Sequence, residues 1–124
     1  MPRASSTSAE VTFLDNAAAR EALGAAARDL LAADANVEAV YLFGSLAAGR
    51  ATPDSDADVL VVVKEATGRW FDRGDFYRER FLVAGPGLNV ELFVYTRAEL
   101  DRMKAAGNAF IAEMTTTAAS LATR

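Results

Sequence analysis

Residues 42–63 read LFGSLAAGRATPDSDADVLVVV, a polar loop enclosed by two apolar runs. The first run covers residues 37–43 and stops at Gly44-Ser45, and the second covers residues 57–63. Short apolar runs bounded by Gly, Pro, Ser and Asp are typical of buried strands that are joined by a loop. The stretch therefore predicts two central strands of a sheet, with helices covering at least one side of them.

Alternating aspartates at the start of the second run predict a cation site. Residues two apart in a strand point to the same face, so Asp54, Asp56 and Asp58 project together, away from Ala57 and Val59. Convergent carboxylates repel one another and are costly to desolvate unless a cation neutralises them. Their oxygens favour a hard dication such as Mg²⁺. The chain has no Cys and no His, so zinc and copper sites are not expected.

Gly44-Ser45 predicts the other half of such a site, a place for phosphate. A Gly has no Cβ, so an anion can approach backbone N–H groups, and the Ser hydroxyl is a further donor. Residues 46–50 can form a short helix closed by Gly49, and its N-terminal N–H groups would face the phosphates. Arg50 is a further candidate phosphate contact. The pattern indicates a triphosphate bound through a metal ion.

Gly44-Ser45, ten intervening residues and Asp56-Ala57-Asp58 together resemble the signature of the DNA polymerase β-like nucleotidyltransferase superfamily. The resemblance is greatest to the minimal nucleotidyltransferases, and Gly49 and the Ser55-Asp56 pair also match their pattern. That family carries a third carboxylate on a later strand, where this chain has Glu91 and Asp is more usual. The resemblance implies three catalytic and metal-binding carboxylates, Asp56, Asp58 and Glu91, and four nucleotide-binding residues, Gly44, Ser45, Arg50 and Ser55.

The resemblance also implies a reaction and its cofactors. Two Mg²⁺ ions, or Mn²⁺ in their place, would assist the transfer of a nucleoside monophosphate, AMP from ATP, onto a hydroxyl group. Minimal nucleotidyltransferases of this size often act as antitoxins that modify a tyrosine of a HEPN-domain ribonuclease toxin. The expected partner is such a toxin, with a homo-oligomer as the alternative. Two other functions stay open, a non-catalytic module that binds a nucleotide or masks a partner, and a transferase for small molecules such as aminoglycosides.

The acidic residues have competing interpretations. Asp-rich turns are often only solvated loops, but Gly-Ser at the matching distance and two flanking strands make that interpretation less favoured here. An EF-hand would need Gly at its sixth loop position, where this chain has Val59, and residues 60–63 read as strand instead of loop. For Glu91 the alternative is a solvent-facing residue of an edge strand.

The chain as a whole, 124 residues with a net charge of −4, predicts one domain. Residues 1–10 are small and polar and are expected to be a disordered lead-in, and residues 11–124 a single nucleotidyltransferase domain. The negative charge disfavours a nucleic-acid-binding surface, so a nucleotide or a protein is the expected partner. No apolar run could cross a membrane and no signal-peptide pattern is present, so the expected location is the cytoplasm.

Patterns outside the central stretch predict an α/β fold, a nucleotidyltransferase-like mixed β-sheet packed against α-helices. An amphipathic helix is expected over residues 15–33. Residues 70–84 predict a helix interrupted near Gly74, whose aromatic residues belong to the core more plausibly than to a base-stacking surface.

The last third of the chain predicts one strand and two helices. Residues 88–95 form the strand, with Glu91 on the same face as Phe93 and Tyr95. The sequence Thr96-Arg97-Ala98-Glu99 is a capping box that opens a helix ending at Gly107. Asn108 then caps a last helix through Ala118.

Overall fold

A computed structural model describes residues 16–44, 57–66, 73–74, 77–79, 81 and 90–124. Within them the elements follow one another as helix α1 (Asn16–Ala33), strands β1 (Val37–Phe43), β2 (Ala57–Val63) and β3 (Val90–Thr96), helices α2 (Arg97–Ala105) and α3 (Ala109–Thr117), and strand β4 (Ala119–Thr123). The predicted lead-in at residues 1–10 and the predicted helix at residues 46–50 lie outside the described residues.

The four strands form one mixed sheet in the order β3-β2-β1-β4. Strand β2 runs parallel to β3, whereas β1 is antiparallel to both β2 and β4. The apolar runs of the central stretch are the two inner strands, as predicted. All residues of β2 are buried except Asp58, which is half-buried. The predicted α/β fold with a mixed sheet is confirmed.

Helix α1 covers one face of the sheet. Its stripe of Leu23, Ala27, Leu30 and Leu31 is buried, as the amphipathic pattern predicted. These side chains join a core cluster with alternate residues of the inner strands. Between β2 and β3, residues 73–74, 77–79 and 81 are helical, and Tyr77 and Phe81 belong to the same cluster. Their place in the core agrees with the interpretation chosen for that aromatic segment.

Helices α2 and α3 cover the opposite face. The capping box at the start of α2 is present, because the Thr96 hydroxyl accepts from the N–H of Glu99 and the Glu99 carboxylate accepts from the N–H of Thr96. Gly107 follows α2 with a φ of +76°, and Asn108 caps α3 through the N–H of Ile111. Ile111 and Met114 are buried against the sheet. The predicted starts and ends of both helices are confirmed to within two residues.

Strand β4 is the element that the sequence did not predict. It pairs antiparallel with β1, so that β1 becomes an inner strand. The Arg124 guanidinium then reaches the other end of the sheet, where its Nε donates to the Val37 carbonyl at 2.7 Å and its Nη2 to the Asp34 carbonyl at 2.7 Å. No helix in the described ranges combines the length and the apolar character needed to cross a membrane.

Candidate functional site

Three side chains form a row across the sheet, at the end where β1 stops and β2 and β3 begin. Phe43 lies opposite Asp58 in the β1–β2 pair, and Asp58 lies in register with Glu91 in the β2–β3 pair. Neighbouring strands are about 4.8 Å apart, so residues in register on one face are direct neighbours. Asp58 and Glu91 are therefore brought together, although 33 positions separate them along the chain.

The row faces α2 and α3. Residues two and four positions further along the strands, Leu60 and Val62 on β2 and Phe93 and Tyr95 on β3, belong to the core cluster under these helices. Strand alternation places Asp58 and Glu91 on that same face. Ala57 and Val59 belong to the cluster under α1, so the predicted separation of the two faces is confirmed for Asp58. Asp58 is half-buried and Glu91 is exposed, which is the gradient expected where a core meets solvent.

Gly44 lies directly against the Asp58 carboxylate. Its φ is +79°, a region that disfavours side chains. An ideal Cβ at this position would overlap Oδ2 of Asp58 and would lie 3.3 Å from its Cγ. The backbone of residue 44 therefore borders the carboxylate without an intervening side chain. This close approach is the physical reason for a glycine at this position.

A hydroxyl from α3 fixes that backbone. The N–H of Gly44 donates to Oγ1 of Thr117 at 3.3 Å, and this hydroxyl donates in turn to the Glu113 carbonyl, 3.2 Å away. Thr117 was not among the predicted site residues. It lies in the last turn of a helix 73 positions away, and no local pattern in the sequence indicates the contact.

An aromatic cluster of Phe43, Phe93 and Phe110 borders the row. The ring centroids of Phe43 and Phe93 are 5.4 Å apart, and Phe110 of α3 lies 6.0 Å from Phe43 and 5.2 Å from Phe93. Such tilted and edge-on pairs are favourable beyond the area that they bury. Phe110 remains 42% exposed. The sequence analysis assigned no role to these three residues.

Several predicted site residues, Ser45, Arg50, Ser55 and Asp56, lie outside the described residues, as does Asp54. The described part of the chain holds no group of three or more candidate metal ligands. Its two neighbouring carboxylates, Asp58 and Glu91, supply oxygen donors only, and the backbone of Gly44 lies directly against one of them. This donor chemistry fits a hard dication such as Mg²⁺.

A strong ion pair lies beyond the far end of β3. The Arg73 guanidinium donates to both carboxylate oxygens of Glu99, at 2.7 and 3.2 Å. These hydrogen bonds from Arg73, together with those from the Thr96 backbone and hydroxyl, hold the pKa of Glu99 at about 2, against the opposing effect of burial. Burial, with a smaller contribution from the Glu99 charge, raises the pKa of Tyr95. Because the pair lies beyond the carboxyl end of β3 and Glu91 near its start, we assign the pair a structural role.

A cavity of about 450 Å³ lies on the same side of the sheet as the row, between α2, α3 and β4. Leu60, Leu100, Ile111 and Met114 give it an apolar lining, and its charged lining residues are Arg97, Asp101 and Lys104. Neither Asp58 nor Glu91 lines it. The candidate site is therefore the carboxylate row, not this cavity.

Comparisons with known proteins bear on the same region. The family described as "Nucleotidyltransferase domain" matches residues 25–113, more than half of the chain, and the match includes Gly44, Asp58 and Glu91. The crystal structure of "a putative nucleotidyltransferase from Sulfolobus solfataricus" resembles this chain with a TM-score of 0.54. The two chains are 31% identical, and the alignment covers 70% of this chain and 75% of the other. No curated protein matches the chain significantly.

Proposed function

The chain belongs to the nucleotidyltransferase domain family, and on that premise we propose that it is a Mg²⁺-dependent enzyme that transfers AMP from ATP to a hydroxyl group. Family membership supports a transferase activity and a nucleotide substrate. The observation that carries the proposal is the register of Asp58 with Glu91, beside a glycine that must lack a side chain. Two carboxylates that meet across adjacent strands at a solvent-facing edge have a reason to be there if they hold a cation.

Asp56, Asp58 and Glu91 would hold two Mg²⁺ ions in this proposal. The ions would supply charge stabilisation to the attacking and leaving oxygens of an in-line displacement. Asp58, which is half-buried beside Gly44, would supply an oxygen ligand on the side where the triphosphate binds. Glu91, which is exposed, faces the acceptor and takes the proton of its hydroxyl group. The acceptor oxygen forms a bond to the α-phosphorus as the bond from that phosphorus to pyrophosphate breaks.

Ser45, Arg50 and Ser55 would hold the triphosphate together with Gly44. The Gly44 N–H donates to Thr117, so this hydrogen bond fixes the backbone at the residue that precedes Ser45. Orientation of this kind lowers the barrier because the reacting groups no longer have to find their geometry. Loss of the Thr117 hydroxyl would therefore weaken nucleotide binding without removing any group that touches phosphate.

The acceptor that we propose is a tyrosine of a HEPN-type toxin, so that the protein acts as an antitoxin in the cytoplasm. Its support is the resemblance of the Gly44–Asp58 signature to the minimal nucleotidyltransferases. A specific observation favours a second candidate, a non-catalytic module that inhibits its partner by contact. Glu91 replaces the usual Asp and is one methylene longer, and a misplacement of about 1 Å can cost a hundredfold in rate.

Transfer of label from ATP tests the proposal. The protein is incubated with Mg²⁺ and α-labelled ATP, with and without a candidate HEPN-domain protein, and labelled protein is measured. We expect label on the partner with wild-type protein and none with Asp58→Asn, which keeps the shape of the side chain but loses its charge. Inhibition of the partner without any labelling would support the non-catalytic candidate instead.

A further inference from the structure

Phe110 is the one large hydrophobic side chain that stays well exposed in the described part of the chain. It is 42% exposed, whereas Ile111 and Met114 of the same helix are each 1% exposed. Its helix therefore already has a buried face that attaches it to the sheet. Phe110 itself contacts two aromatic residues of the sheet, Phe43 and Phe93.

Those two contacts place Phe110 beside the carboxylates. Phe43 is the direct neighbour of Asp58, and Phe93 is two residues beyond Glu91 on the same face, a distance of about 6.6 Å along a strand. The Phe110 ring packs against both of these residues, 6.0 Å from the ring of Phe43 and 5.2 Å from that of Phe93. One part of the ring contacts these neighbours, and the rest of the residue stays exposed to solvent.

We propose that Phe110 is the stacking residue for the planar base of the nucleotide whose phosphates bind at Gly44 and Asp58. This inference rests on the proposed function and extends it to base recognition. A ring held on one side by two other rings loses little freedom when a base stacks on it.

Stacking on a phenyl ring predicts the relative affinity of the site for nucleotides with different bases. Every base has a π-face, so an aromatic surface without hydrogen-bonding groups accepts all of them and favours those with larger rings. We therefore expect ATP and GTP to bind more tightly than CTP and UTP, with only a modest difference within each pair.

The test compares ATP with inorganic triphosphate, which has the phosphates but no base. Binding of both to the full chain is measured by calorimetry in Mg²⁺ for wild type, Phe110→Leu and Phe110→Trp. We expect Phe110→Leu, which keeps an apolar side chain without a ring, to weaken ATP about 5- to 150-fold, the factor that corresponds to the usual energy of base stacking. Triphosphate affinity should stay unchanged, and Phe110→Trp should bind ATP at least as well as wild type.

Met103→Leu is the matched control. Met103 packs on the same core cluster from α2, so this change perturbs the cluster without removing a ring. It should leave the ratio of ATP affinity to triphosphate affinity at the wild-type value. If Phe110→Leu and Met103→Leu lower that ratio equally, the role of Phe110 is structural and the inference is overturned.

Two further results would overturn it. One is a wild-type protein that binds ATP no more tightly than inorganic triphosphate. The other is a Phe110→Leu variant with unchanged ATP affinity and a raised KM for the acceptor, which would assign the ring to the acceptor instead. The labelling experiment tests the proposed function separately. If ATP binding depends on the Phe110 ring but no AMP is transferred, the base site is supported and only the proposed transfer activity is contradicted.

Discussion

Gly44 shows how much a single absent Cβ can determine. Two effects act at this position, the positive φ and the overlap of a Cβ with the Asp58 carboxylate. Gly107 separates them, since its φ is +76° but a Cβ there would meet nothing within 4 Å. Gly107 is therefore a control for the effect of positive φ alone. The difference between the two glycines isolates the close approach to Asp58.

We predict that Gly44→Ala abolishes measurable Mg²⁺-dependent ATP binding, whereas Gly107→Ala leaves it at the wild-type level. Both changes should lower the free energy of unfolding by about 1 kcal/mol or more through strain at positive φ. Calorimetry with ATP in Mg²⁺ and in chelator measures the binding, and urea unfolding measures the stability. Equal ATP affinity for the two variants would remove Gly44 from the site.

Glu91 is the residue whose substitution distinguishes a catalytic protein from one that inhibits its partner by contact alone. We predict that Glu91→Gln lowers the transfer rate by about 10²- to 10⁴-fold, the usual contribution of a general acid–base group, because an amide cannot take up the acceptor proton. Glu91→Asp should keep the rate or raise it. Since the side chain is exposed, neither change should shift the unfolding midpoint.

The measurement follows transfer rate and partner inhibition on the same preparations. Glu113→Gln, a change at an exposed glutamate of α3, is the control and should alter neither. A Glu91→Gln variant that inhibits its partner fully without transferring AMP would contradict the catalytic role of the antitoxin.

The capping box of α2 is an element whose stability depends on pH. Glu99 serves both the cap and the ion pair with Arg73, and these contacts lower its pKa from 4.5 to about 2. A lowered pKa means that the folded state binds the proton more weakly than the unfolded state. Its stabilising effect is therefore complete above about pH 4.5 and is lost as pH falls toward about 2.

We predict that Glu99→Gln lowers the free energy of unfolding by about 2 kcal/mol at pH 7 and by much less at pH 2.5. The side chains of the pair are 12% and 25% exposed, so solvent screens it only partly. Urea unfolding at both pH values measures the difference between variant and wild type, with Glu113→Gln as the exposed control. A loss of equal size at the two pH values would show that the charge of Glu99 does not matter.

The elements also show which parts of the fold a sequence can predict. Helix α2 was predicted because the residues that begin it, Thr96 and Glu99, are three positions apart and satisfy each other's hydrogen bonds locally. Strands β1 and β2 were predicted because burial on both faces requires apolar residues throughout. Strand β4 was not predicted, because its sequence, ASLAT, is short, alanine-rich and follows a helix directly. It is a strand because β1 offers it a free edge, and that information is distant in sequence.

The residues of the candidate site also include some that the sequence could predict and some that it could not. The pairing of Asp58 with Glu91 could be anticipated from the resemblance to a known signature, which supplies the missing long-range information. The contacts of Thr117 and Phe110 could not be anticipated from the sequence, because they depend on where α3 crosses the sheet. The roles of Asp56, Ser45, Arg50 and Ser55 stay predictions.

At the scale of the whole molecule, the candidate site and the hydrogen bonds of Arg124 lie at opposite ends of the sheet. Val37 pairs with Val63 at one end, and Phe43 pairs with Asp58 at the other. The Arg124 guanidinium binds at the Val37 end, where it reaches the Asp34 carbonyl and also the Leu31 carbonyl in the last turn of α1. A cation is favourable there because helix carbonyls at the C-terminus lack partners and carry partial negative charge.

We predict that Arg124→Ala lowers the free energy of unfolding by about 1–3 kcal/mol, because several charged hydrogen bonds to backbone carbonyls are lost together. Arg124→Lys should recover only part of this loss, since an ammonium group cannot span three carbonyls as a planar guanidinium does. Mg²⁺-dependent ATP binding should be unchanged in both variants, because the length of β1 separates Arg124 from Asp58. Urea unfolding and calorimetry on the same variants test this separation, and a large loss of ATP affinity at unchanged stability would show that the two ends of the sheet are coupled.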